Sequence, residues 1–182
     1  MTVVESTVTS MFDLATELLG AVASAMATTV GGAPDVAYIT LGEPAWAEAC
    51  GQAVVQAGMI TEGQTSAGNT PESTGRRYAL GRVNLIGMVA YAMRCLSVTE
   101  ENSQIYSIPS GMTLTAIGKQ GYEDGWAIWN WVTRASRKGE LFNGPCTLVH
   151  FDGSPVIAPE GNLGGWRFVC RVELDGYDPT GT

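Results

Sequence analysis

The chain has 182 residues, 45% of them hydrophobic and only 15% charged, so it is long enough to bury one sizeable core with length left over for loops. Ten basic residues against eighteen acidic ones give a net charge of −8. That balance repels a phosphate backbone and argues against nucleic-acid binding as the main task. The most apolar helical stretch, Leu18 to Val30, is about 13 residues against the roughly 20 a membrane span needs. Asp13 and Glu17 precede it where a signal peptide carries positive charge, so the chain reads as cytosolic when made, with no membrane association.

Residues 1–9 are polar and β-branched and read as a mobile arm, or as a segment that orders only against another subunit. Ser10-x-x-Asp13 resembles a capping box, and Phe12, Ala15, Leu18, Leu19, Val22 and Met26 follow at helical spacing, predicting a helix over residues 11–29. Gly31-Gly32 and Pro34 end it. Val36–Leu41 is a short β-type run, Ala45–Gly51 a turn-like connector, and Gln52–Ile60 a second strand. From Thr61 to Arg77 almost nothing is apolar, which predicts a long functional or disordered loop.

Tyr78–Cys95 contains the longest strand, apolar on both faces and therefore central in its sheet. Residues 97–110 form a second polar loop before a helix over 112–137, in which Gly118, Gly121 and Gly125 imply close approach of the helix backbone to a neighbour. Trp126, Trp129 and Trp131 cannot all point one way, so at least one belongs at a boundary or subunit interface. Lys138-Gly139 supplies a left-handed cap. Pro145–Phe151 is a further strand, Asp152-Gly153 a turn signal and Val156-Ile157 a short apolar return. A glycine-rich turn then leads into a closing strand, where Trp166, Phe168, Cys170, Val172 and Leu174 alternate with Arg167, Arg171 and Glu173; residues 176–182 are a short tail. The pattern is that of one α+β domain, a mostly antiparallel sheet of about five strands with two helices on one face.

Reactive motifs are scarce. Cys50, Cys95, Cys146 and Cys170 form no CxxC pair and read as buried thiols with no zinc or redox role. His150, the only histidine, sits in a strand-like run without a recognisable nucleophile motif, leaving a small hydrolase as a remote alternative. Glu100-Glu101 and Glu123-Asp124 are neighbours that do not face each other across a substrate and read as solvated surface charge. No Walker lysine, dinucleotide fingerprint or calcium loop occurs, and neither an enzymatic activity nor a cofactor is expected. Basic residues group as Arg76-Arg77, Arg134 with Arg137-Lys138, and Arg167 with Arg171; the last two share one side of the closing strand, as ordinary solvated charge or as an interface device.

Four stretches carry a resemblance to a known family: Gly42-Glu43-Pro44-Ala45-Trp46-Ala47-Glu48-Ala49-Cys50-Gly51-Gln52, the strand end Met93-Arg94-Cys95, Gly121-Tyr122-Glu123-Asp124-Gly125-Trp126, and Pro155-Val156 leading to Pro159-Glu160-Gly161-Asn162-Leu163-Gly164-Gly165-Trp166-Arg167-Phe168. Their order and spacing, over roughly residues 11–176, resemble the tail-terminator proteins of long-tailed phages that infect actinobacteria. The resemblance implies a virion protein assembled in the host cytoplasm. It would form a six-membered ring that caps the tail tube, stops its polymerisation, and joins the tail to a head-side stopper or connector. DNA would pass through the lumen without specific binding. Another neck component, a head-to-tail stopper or adaptor, is the alternative. Candidate interface residues are Arg76, Arg77, Trp126, Trp129, Trp131, Arg167 and Arg171, with the loop at 61–77 reaching a neighbour or the tube.

Overall fold

A computed structural model describes residues 11–46, 49–64, 82–95, 111–142, 146–157 and 163–174. In chain order the elements are α1 (Met11–Ala27), β1 (Val36–Thr40), β2 (Gly51–Gln64), β3 (Arg82–Cys95), α2 (Gly111–Arg137), β4 (Cys146–Ile157) and β5 (Leu163–Leu174). The five strands form one mixed sheet in the order β1-β2-β3-β5-β4. β1 pairs parallel to β2, and the other three pairings are antiparallel, so the sheet is mostly antiparallel and the fold is α+β.

Both helices lie on one side of the sheet, α1 over β1–β3 and α2 over β3–β5. The spacing of Leu14, Leu18, Val22 and Met26 puts one stripe of α1 into this layer, where all four are fully buried. Ile128 and Val132 do the same for α2, and Glu140 N–H donating to Ala135 with Gly139 at φ 69° closes that helix as the Lys138-Gly139 pair predicts. The sheet contributes Ala53 and Val55 from β2, Ile86, Met88, Ala90 and Ala92 from β3, and Phe168, Cys170 and Val172 from β5. β3 is the central strand, as its two apolar faces require. Its second face meets a smaller cluster, in which Met93 and Leu163 are buried with Trp46, Tyr91, Cys95 and Val156 around them. Trp46 reaches it from the connector between the parallel strands β1 and β2, packing edge-on against Tyr91 at 5.5 Å.

Several expectations are corrected. β2 does not stop at Ile60: polar residues 61–64 pair with β3 from Leu85 to Arg82, because backbone pairing in a long hairpin does not depend on apolar side chains. The rest of the expected loop at 65–77, residues 1–9 and the tail at 176–182 lie outside the described residues, as do 78–81 of the expected long strand. Asp152-Gly153 is no turn. β4 runs through it from Cys146 to Ile157, and the irregularity is a bulge between Leu148 and His150. Gly153 serves packing, since a Cβ there would lie 2.6 Å from the Phe168 ring. Gly164 and Gly165 likewise belong to β5 itself, where a Cβ on Gly165 would fall 1.9 Å from the Ala92 carbonyl oxygen.

Candidate interaction surfaces

At one corner of the sheet, three distant segments meet on a single side chain. Arg94, next to last in β3, donates from Nε to Asp124 Oδ2 at 2.9 Å and from Nη1 and Nη2 to the carbonyls of Gly31 and Gly32 at 3.0 and 2.7 Å. Those carbonyls follow the C-terminus of α1, where the helix dipole favours a cation. Thr29 also donates to Asp124 Oδ1. Asp124 is 2% exposed, so the expectation of solvated surface charge is wrong for it: facing inward from α2, it is compensated by the guanidinium. Glu123 does stay at the surface, with Lys119 one turn away.

The next residue in the strand corrects the expectation of four separate thiols. Cys95 is disulfide-bonded to Cys50, which stands opposite it at the start of β2 with a Cα–Cα distance of 4.6 Å. Cys95 N–H also donates to the Cys50 carbonyl. Cys170 is buried, and burial pushes its thiol up to about 12. Trp166 of β5 completes the corner by donating its indole N–H to the Gly121 carbonyl at 2.7 Å. The close approach expected of α2 occurs at Gly125, where a Cβ would sit 2.3 Å from the Trp166 ring; at Gly118 and Gly121 a Cβ would meet nothing within 4 Å. Beside this corner runs an open cleft of about 780 Å³ between α2 and the ends of β4 and β5, lined by Gly121, Tyr122, Val156, Ile157 and Trp166 among others.

No protein-family model, curated protein or solved structure matches this chain. Its surfaces must therefore be read from their own chemistry.

Two faces stand out. On the outer side of α2, Tyr122, Trp126 and Trp129 follow at i, i+4 and i+7 and are 64, 55 and 38% exposed. The two indoles stack on each other with centroids 5.6 Å apart. Trp131 is also partly exposed but turns away from them, lining a hollow with Thr28 and Arg134 beside the end of α1. The three tryptophans thus divide between two directions, as the helical period requires.

The opposite face is the side of the sheet away from the helices. Because Phe168, Cys170 and Val172 point into the core, Arg167, Val169 and Arg171 point out. Arg171 is exposed and stands between Gly87 of β3, which projects no side chain, and His150 of β4. Val169 pairs with Val89 between the two arginine rows. His150 is exposed at the edge of the sheet with Arg171 as its cross-strand neighbour. Arg76 and Arg77 lie outside the described residues. Among the described residues no three His, Cys, Asp or Glu side chains gather as metal ligands, and no helix is long and apolar enough to cross a membrane.

Arg94, Asp124 and the Cys50–Cys95 pair escaped sequence reasoning about sites. A signal was present: Met93-Arg94-Cys95 ends a central apolar strand, a costly place for an arginine without an acid nearby.

Proposed function

We propose that this chain is a structural virion protein, the tail terminator of a long-tailed phage. Its subunits form a ring on the tail tube, stop tube growth and offer the head-side neck a docking surface. The observation that carries this reading is the pair of chemically unlike solvent-facing surfaces on opposite sides of one subunit, the aromatic face of α2 and the arginine-bearing face of the sheet. A closed ring is built from one heterologous interface repeated by rotation, so each copy needs two different patches. Exposed tryptophan and arginine are the residue types most enriched where protein surfaces meet.

The four stretches that resemble tail terminators support the same reading. They are far apart in sequence, yet they supply Cys50, Arg94, Cys95, Asp124, Gly125 and Trp166, all at one corner. Their role here is architectural: they fix α2 against the sheet and so set the angle between the two faces. His150 lies on a bulged edge strand beside an arginine, an arrangement that offers no oriented base.

The test is to image, by negative stain, particles assembled without this protein. Overlong tails, with or without heads, are expected. Tails of normal length firmly joined to heads would overturn the proposal. Tails of normal length that never attach to heads would point to the stopper or adaptor instead.

A further inference from the structure

Resting on the ring reading above, we propose that the two unlike faces are each other's partners: the Tyr122–Trp126–Trp129 stripe of one copy docks on the Arg167–Val169–Arg171 face of the next. Three observations lead there. First, the chemistry is complementary. The face of an indole is electron-rich and takes a guanidinium stacked flat upon it, a contact that favours arginine over lysine and strengthens as water is excluded. Trp126 and Trp129 already stack at an interplanar angle of 15°, so they present a parallel pair of rings.

Second, the sheet face has a place for such rings. Arg171 has Gly87 as its neighbour on β3, and the bare backbone there leaves a strip on which an aromatic ring can lie beside the guanidinium. Val89 and Val169 pair to form an apolar floor between the arginine rows, bounded on the β4 side by the exposed Asp152. Among the described residues neither arginine takes part in an ion pair, in contrast to Arg94.

Third, the dimensions agree. Tyr122 and Trp129 are seven residues apart on a helix, a rise of about 10 Å. Arg167 and Arg171 are four residues apart on a strand, about 13 Å. The two strips are therefore similar in length, and the aromatic strip fits within the span of the two arginines. Since the faces lie on opposite sides of the subunit, the contact is head-to-tail and leaves each copy free to engage a further neighbour.

A mixing experiment tests the pairing. Trp126→Glu spoils the helix face and Arg171→Asp spoils the sheet face; both positions are exposed, and circular dichroism checks that each variant keeps the wild-type fold. In sedimentation velocity the wild type is expected to form the closed oligomer, and each variant alone to remain a monomer. A 1:1 mixture should give a dimer, in which the intact sheet face of the Trp126→Glu copy meets the intact helix face of the Arg171→Asp copy. A mixture that stays monomeric overturns the pairing, as does either variant alone assembling like the wild type. In that second case the ring stands and only this interface fails. A wild type that stays monomeric both alone and with tube protein overturns the ring reading and the pairing together. Trp126→Ala and Arg171→Gln, which remove the stack without adding a like charge, should each weaken assembly at least tenfold.

Discussion

Arg94 and Asp124 form a buried ion pair that ties the central strand to the second helix, with side chains 11 and 2% exposed and 2.9 Å between Nε and Oδ2. The same guanidinium holds the two carbonyls after α1, so one residue joins three elements. Removing one partner strands the other charge away from water, which typically costs about 3–5 kcal/mol. Asp124→Ala should lower the unfolding free energy by about 3 kcal/mol in urea titrations. The Arg94→Leu/Asp124→Leu double variant should cost clearly less than the sum of the single changes, because it leaves no orphaned charge. Additive costs would mean that the pair is not coupled.

The disulfide makes a second prediction. Cys50 and Cys95 are 45 residues apart in sequence, and the chain-entropy relation assigns such a link about 4 kcal/mol through restriction of the unfolded chain. Cys50→Ser, or a dithiol reductant added to the wild type, should lower the urea midpoint by comparable amounts. Reductant should have no further effect on the variant. Intact mass before and after reduction and alkylation counts the thiols and checks the pairing directly.

Two glycines of α2 should respond in opposite directions to the same change. Gly118 is exposed, and a Cβ there meets nothing within 4 Å, so Gly118→Ala should stabilise by up to about 1 kcal/mol through helix propensity. At Gly125 a Cβ would enter the Trp166 indole ring at 2.3 Å, so Gly125→Ala should destabilise despite the same gain in propensity. Pairing Gly125→Ala with Trp166→Phe should recover part of the loss. Thermal melts of the variants decide the matter.

What the sequence disclosed follows from which interactions are local. Leu18, Val22 and Met26 on one side of α1, the alternation through Phe168, Cys170 and Val172, and the Gly139 cap each have their cause within a few residues and are found as read, whereas Phe12, expected on the same stripe, is 63% exposed and Leu14 is buried in its place. Asp152-Gly153 misled because its conformation is set by a strand partner: β5 continues opposite it, so β4 does not turn. Which residues Cys95 and Arg94 would meet was illegible for a related reason. Their partners lie 45 and 30 residues away, and only the hairpin register and the tilt of α2 bring them together. The aromatic face of α2 was half legible: the helical period separates Trp131 from Trp126 and Trp129, but it does not say that the core takes none of the three.

Cys170 gives the last prediction, one of pH. Burial raises its thiol to about 12, while an unfolded thiol ionises near about 8.5. The folded state therefore keeps its proton after the unfolded state has begun to release one. Its contribution to stability is fully present below about pH 8.5 and is lost as pH rises toward 12, at up to about 1.4 kcal/mol per pH unit. Between pH 8 and pH 10 the wild type should lose more stability than Cys170→Ala, although the alanine variant starts lower because of the cavity left between its cross-strand neighbours Met88 and Phe151. Iodoacetamide at pH 8 should modify Cys170 only after denaturant is added. Rapid labelling of Cys170 in the native protein would show that the strand is open to solvent there, and the pH argument would fall with it.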